Sequence, residues 1–194
     1  MELVITFMLT AVFTTGSCRL MADAMKIYNK IQALNNAQQV MDIVLDKVTG
    51  EIEGAQVNMR GKTDGDPDGA TLTITKDGKK IRLYDRVSRD VIICQEDGEA
   101  VIHYKAIHGS DERERYRATD WKFDKSVYLG FKVADNGLKF SLAGEDYPPN
   151  VVKVELTLTA PGHGSFTNTR YVECYNFETA QDMQKIKTVE EITE

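Results

Sequence analysis

Sixteen consecutive positions near the start, Leu3 to Cys18, carry no charge, and no proline occurs before Pro67. A run of this kind must be removed, buried or placed in lipid, because leaving it in water is unfavourable. The helical pattern does not stop at Cys18. Ile27, Ile31, Leu34, Gln38, Met41, Leu45, Val48 and Ile52 follow at spacings of four and three. All but Gln38 are apolar, so they form one stripe along a continuous helix. The first strong breakers after Gly16 are Gly50 and Gly54. A helix from about Glu2 to Gly54 would be about 80 Å long. Its first third is apolar nearly all round and the remainder amphipathic.

Three other readings of the opening fit less well. Sixteen helical residues reach about 24 Å, short of a hydrocarbon core of about 30 Å, so a free-standing transmembrane anchor is marginal. A secretory signal needs a positive start, and Met1-Glu2 has the wrong charge. A lipoprotein signal ending at Cys18 has its small residues in Gly16 and Ser17. It carries Thr15 where an aliphatic side chain belongs, and it lacks the basic start. The stripe beyond Cys18 also admits a coiled-coil seam. Val40 and Val44 widen it and Gln38 interrupts it, which suits a helix docking one broad face on a sheet.

The sheet is sought after Gly54, where the period changes from helical to alternating. "VYLGFKV" sets Val127, Leu129, Phe131 and Val133 on one face, and "LKFSL" does the same with Leu138, Phe140 and Leu142. "VVKVELTLTA" alternates Val152, Val154, Leu156 and Leu158 with polar neighbours. Such runs read as half-buried antiparallel strands. Turn signals at Lys76–Lys79, Glu96–Glu99, Gly137 and Pro161–Gly164 separate them. Strands are expected near 71–76, 80–86, 90–95, 100–106, 117–123, 127–133, 137–142, 151–160 and 167–177. The fold class is therefore α+β, a long N-terminal helix packed on an antiparallel β domain. Residues 1–55 form the helix, with 1–20 its membrane or filament-core segment. Residues 56–178 form the β domain, and 179–194 a polar tail with weak helical character.

Of the 194 residues 28% are charged, and the net charge is −6 with the basic residues scattered among acids. That excludes a nucleic-acid surface, which needs clustered Lys and Arg. Cys18, Cys94 and Cys174 show no metal-ligand spacing. Cys94 and Cys174 lie in expected strands, where buried thiols are the simpler reading and a disulfide the alternative. His103, His108 and His163 have no ligand spacing either, and no nucleophile or phosphate-loop motif occurs. The most site-like stretch is "DGDPDG", Asp64 to Gly69, which matches the first half of a calcium loop. Thr75 stands where the bidentate glutamate belongs and Pro67 is foreign to such a loop, so an acidic turn is expected and no tight metal site. "DERER", Asp111 to Arg115, reads as a solvated loop. No cofactor and no enzymatic activity are expected.

An acid-tipped apolar helix with an amphipathic continuation and a β domain resembles the type IV pilin superfamily, in detail the minor pseudopilins and prepilin-type proteins of the J or W type. The matching residues are Glu2-Leu3-Val4, as in the family's "F-x-x-x-E-L" opening, and "NAQQVMDIVLDKVTGEIEGA" as its second helical half. "VVKVELTLTAPGHGSFTNTRYVECYNF" is similar to its closing hairpin. The family carries a basic leader and a glutamate at the fifth mature position. Here the leader, the cleavage site and the first three mature residues are missing, as a late start would produce. The resemblance implies a single-pass membrane subunit, processed by a prepilin peptidase where the leader exists. It implies assembly with other pilin or pseudopilin subunits into a pilus, secretion or competence filament. The β domain would lie outside the cytoplasm, in the periplasm or at the cell surface. Glu2 would pair with the N-terminal amine of a neighbouring subunit and set register. The reading from another class is a membrane-anchored or lipidated extracellular binding module.

Overall fold

A computed structural model describes residues 2–57, 71–106 and 117–192. The expected calcium-like turn at Asp64–Gly69, the loop at Asp111–Arg115 and His108 lie outside the described residues. The architecture is α+β. Helix α1 runs unbroken over Glu2–Glu53, 52 residues, or about 78 Å. Strands β1 (Leu72–Thr75), β2 (Ile81–Tyr84), β3 (Asp90–Glu96), β4 (Glu99–Tyr104), β5 (Thr119–Lys122) and β9 (Ile186–Val189) make a six-stranded sheet in the order β5-β4-β3-β2-β1-β9. Strands β6 (Lys132–Leu142), β7 (Val151–Ala160) and β8 (Gly164–Glu173) make an antiparallel three-stranded sheet.

The alternation read in the sequence places the core. On β7, Val152, Val154, Leu156 and Leu158 are fully buried, while Lys153, Glu155 and Thr157 are only partly covered. On the larger sheet Ile81, Leu83, Val91, Ile93 and Ile102 face the same interior. Helix α1 contacts β7 and β8, and its buried apolar residues from Ala37 to Ile52 join one cluster with both sheets. Two hairpin tips tie the sheets together. The amide of Phe140 donates to the Gly78 carbonyl and that of Val133 to the Gly98 carbonyl, each at 2.8 Å. Gly78 has φ +71°, and a Cβ there would lie 2.7 Å from the Phe140 carbonyl oxygen, so both conformation and space require glycine.

Four differences from expectation have local causes. First, the docked stripe starts later than the apolar pattern does. Met41, Leu45, Val48 and Ile52 are buried, but Ile27, Ile31 and Leu34 are 62%, 53% and 42% exposed. The buried series begins at Ala33 and continues through Ala37, Val40 and Val44. At that level the described part of the β domain presents a rim containing Leu129, Phe131, Pro161 and His163 beside Ala33 and Asn36, and of the earlier stripe Ile31 and Leu34 only line an open groove with His163 and Phe166.

Second, of the strand expected at 127–133 only Lys132 and Val133 are strand, and they run on into the one expected at 137–142 as a single strand, β6, with a register shift between Val133 and Leu138. The "ADNG" signal is a bulge rather than a turn. Gly137 occupies it because a Cβ would meet the Thr157 and Ala134 carbonyls at 2.6 and 2.7 Å. Residues Lys125–Tyr128 form a 3-10 turn, with the Asp124 carboxylate accepting from the Ser126 amide. Val127 and Leu129 therefore leave the core that Phe131 and Val133 join.

Third, of the expected tail 179–194, residues 179–192 do not form a simple tail. Thr179 caps a short helix, α2 (Ala180–Met183), and β9 then adds to β1 from Leu72↔Ile186 to Thr75↔Val189. Fourth, that β1–β9 pair is parallel, which makes the larger sheet mixed instead of purely antiparallel. Pairing satisfies the edge of β1, whose Leu72 and Ile74 are buried.

Candidate functional site: an apolar helical arm held by the β domain

From Glu2 to Gln32 every residue of α1 is exposed, and burial begins at Ala33. The free arm is about 45 Å long. It contains the one helix window among the described residues that is long and apolar enough to cross a membrane, and none of that window is buried against the domain. Leu3, Phe7, Met8, Leu9, Val12 and Phe13 are each at least two-thirds exposed. The four threonines of the segment are hydrogen-bonded within the helix itself. Thr6 donates to the Glu2 carbonyl at 2.9 Å, and Thr10 and Thr14 donate to the carbonyls of Thr6 and Thr10 at 2.7 Å. Thr15 donates to the Ala11 carbonyl at 2.7 Å. Hydroxyls bound this way present no unpaired donor to a surrounding apolar phase.

Glu2 lies in the first turn of α1. The nearest Lys or Arg along the chain is Arg19, about 25 Å further down the helix. Between the apolar segment and the domain stand Arg19, Asp23, Lys26 and Lys30, with Lys26 bonded to Asp23 at 3.3 Å. A charged collar of this kind suits the boundary between lipid and water.

The other half of the helix is clamped. Arg170 on β8 donates to the carboxylates of Asp42, at 2.9 Å, and Asp46. At the opposite flank the Tyr104 hydroxyl donates to Glu51 at 2.7 Å, and the Lys47 ammonium bonds the same carboxylate while lying 4.9 Å from the Trp121 ring. Burial works against the charge on Lys47, but the hydrogen bond and attraction of Glu51 outweigh it and its pKa rises. Below the helix, Asn176 donates to the Ala55 carbonyl at 2.9 Å. These contacts fix the direction in which the arm leaves the domain. At its root a groove of ≈ 490 Å³ is lined by Lys26, Lys30, Ile31, Leu34, His163 and Phe166.

The residues singled out from sequence therefore separate. Glu2 is at the free tip. Ile27 and Ile31 belong to the exposed arm, and Ile31 and Leu34 line the groove at its root. Met41, Leu45, Val48 and Ile52 hold the domain together. His163 sits in the β7–β8 turn, its amide bonded to the Ala160 carbonyl at 3.1 Å. His103, on β4, is held at both ring nitrogens: Nδ1 is 2.7 Å from Asp120 Oδ1 and Nε2 is 3.1 Å from Glu96 Oε1. Burial opposes its charge, but the Asp120 hydrogen bond and the Glu96 carboxylate prevail and raise its pKa. This arrangement escaped sequence reasoning because its members lie on three strands with no motif spacing. The three cysteines are not in disulfides: Cys18 is exposed, Cys94 and Cys174 buried. Burial, with lesser effects from Glu173 and Glu53, pushes the Cys174 thiol up to about 12. Comparison with protein-family models, with curated proteins and with solved structures gives no match.

Proposed function

We propose that the chain is a non-enzymatic minor pilin- or pseudopilin-like subunit. In this reading the arm inserts into a membrane, the β domain stands outside the cytoplasm, and the arm later packs among those of other subunits in a type IV pilus, type II secretion or competence-type filament. A prepilin peptidase would act on it where a leader precedes Glu2. The observation that carries the reading is the division of α1. One continuous helix is core over its second half and wholly unpacked over its first, and the unpacked part is the apolar one. A domain that folded only for itself would gain nothing from about 45 Å of rigid greasy helix.

Glu2 gives the reading its test. A carboxylate in an apolar phase is costly unless a cation meets it. The chain supplies no Lys or Arg before Arg19, so the filament reading assigns the partner to another subunit's N-terminal amine. Glu2→Ala and Glu2→Gln are introduced at the native locus, and membrane fractionation is scored beside co-purification with the other helix-tipped subunits. Both variants should remain in the membrane and both should be depleted from the complex, because the amide lacks the charge. Normal co-purification of both would rule out charge pairing. Release of both from the membrane would place Glu2 in targeting instead.

A further inference from the structure

On the face of the larger sheet turned away from α1, three strands bring together a set of groups with no part in the helical arm. Cys94 and Glu96 are two residues apart on β3 and so share a face. His103 stands on β4 opposite Ile92, and Asp120 on β5 opposite His103. Glu96 and His103 lean toward each other along the strands. The Cys94 sulfur is 3.8 Å from Glu96 Oε1. The ligand atoms of Cys94, Glu96 and His103 all lie within 4.8 Å of one another. Cys94 is 2% exposed, Glu96 lies at the surface, and His103 is half-buried.

We propose that Cys94, Glu96 and His103 form a three-ligand site for a thiophilic divalent ion, zinc, with Asp120 as the group that orients the histidine. Tetrahedral zinc with bonds of about 2.0–2.3 Å sets N···O and S···O ligand separations of about 3.3 and 3.6 Å. The observed separations are 3.1 Å between His103 Nε2 and Glu96 Oε1 and 3.8 Å between Cys94 Sγ and Glu96 Oε1. Two of the three separations are thus close to coordination spacing before any ion enters, and the third, between Cys94 and His103, lies within 4.8 Å. The ion replaces the direct Glu96–His103 contact and lies over Cys94, and a fourth position remains for water or an incoming group.

The tautomer is set by Asp120. Its carboxylate, 2.7 Å from His103 Nδ1, accepts that N–H and leaves the Nε2 lone pair directed at Glu96 and Cys94. A thiolate with an imidazole selects zinc over calcium or magnesium, which take all-oxygen sets. Binding expels the thiol proton, and any proton on Nε2, to solvent. The ladder from Val91↔Tyr104 to Glu96↔Glu99 holds the backbone of both ligand strands rigidly. The site does not depend on the filament reading, since it lies on the β domain and needs no second subunit.

The test uses the full chain in detergent, stripped of metal and kept reduced with a phosphine, and titrates it with cobalt(II). Stoichiometric binding should bring a thiolate-to-cobalt charge-transfer band and the intense visible bands of a tetrahedral ion, both removed by zinc and unaffected by excess calcium. Cys94→Ser should abolish the charge-transfer band. His103→Gln should weaken binding by at least about 100-fold, and Asp120→Asn by about 10–100-fold with the band retained. If Cys94→Ser perturbs folding, Glu96→Gln and Asp120→Asn, at surface positions, still decide the matter. The proposal fails if no charge-transfer band forms. It fails equally if the band survives Cys94→Ser, which would assign it to Cys18 or Cys174, or if affinity ignores Glu96→Gln and Asp120→Asn together.

Discussion

Leu45 and Ile27 occupy the same apolar stripe, yet the fold assigns them opposite fates, so truncating each to alanine tests where docking begins. Leu45 is fully buried in the cluster that joins α1 to both sheets, with Met41, Val44, Val48 and Ile52 around it on the helix. Removing a leucine side chain from such a site costs about 2–5 kcal/mol, the transfer term plus the cavity left behind. A domain of this size loses about 2–4 °C of Tm per kcal/mol. Leu45→Ala should therefore lower the Tm by about 4–20 °C. Ile27 is 62% exposed, on the part of α1 that precedes the buried series. Ile27→Ala should stay within about 0.5 kcal/mol, a shift of at most about 2 °C. The assay is thermal unfolding of the full chain in detergent micelles, followed by near-ultraviolet circular dichroism, which reports the packing of the β domain. Equal shifts for the two variants would refute the division of the helix at Ala33. A silent Leu45→Ala would refute the docking itself.

The Arg170 clamp is largely solvent-facing on its acidic side, with Asp42 and Asp46 56% and 69% exposed. Arg170→Ala should cost no more than about 1 kcal/mol in urea unfolding, and the difference from wild type should shrink as salt rises. Cys174 gives a pH dependence of definite sign. Its folded pKa is raised to about 12 by burial, against about 8.5 for a thiol in the unfolded chain. Its contribution to stability is complete below about pH 8.5 and is lost as pH climbs toward the folded value. Between about pH 9 and 11 the urea midpoint of the wild type should therefore fall more steeply than that of Cys174→Ala. Parallel profiles would show that this thiol is not held neutral by the core.

Much of this fold is legible in local pattern. The absence of proline before Pro67 and the four-three spacing define α1, and strict alternation defines β7 with its buried Val152, Val154, Leu156 and Leu158. The "EDGE" turn becomes a two-residue hairpin with Asp97 and Gly98 at φ 50° and 77°, the conformation such a dipeptide favours. What was not legible depends on distant partners. Periodicity shows that Ile27, Ile31 and Leu34 share a face with Leu45, but not that the domain stops at Ala33. The stretch from Ile186 to Val189 is short and half polar, and only the free edge of β1 makes it a strand. The Cys94–Glu96–His103 grouping follows from strand register and side-chain reach, neither of which has a signature in residue spacing.

The parallel pairing of β9 with β1 has a kinetic consequence. The partners are separated by about a hundred residues of intervening chain. Closing so long a loop is entropically slow, and contacts of high sequence separation form late in folding. During synthesis α1 emerges before the sheet, and β1 waits with an open edge until β9 has left the ribosome. In that interval the exposed strand can recruit the same segment of a neighbouring nascent chain, the route to aggregation that unpaired edges offer. Under the membrane reading proposed above, early anchoring of the arm would limit this hazard by confining each copy to a surface. A chaperone or quality-control protease that recognises an unfilled strand edge would thus distinguish nascent copies of this protein from finished ones at β1.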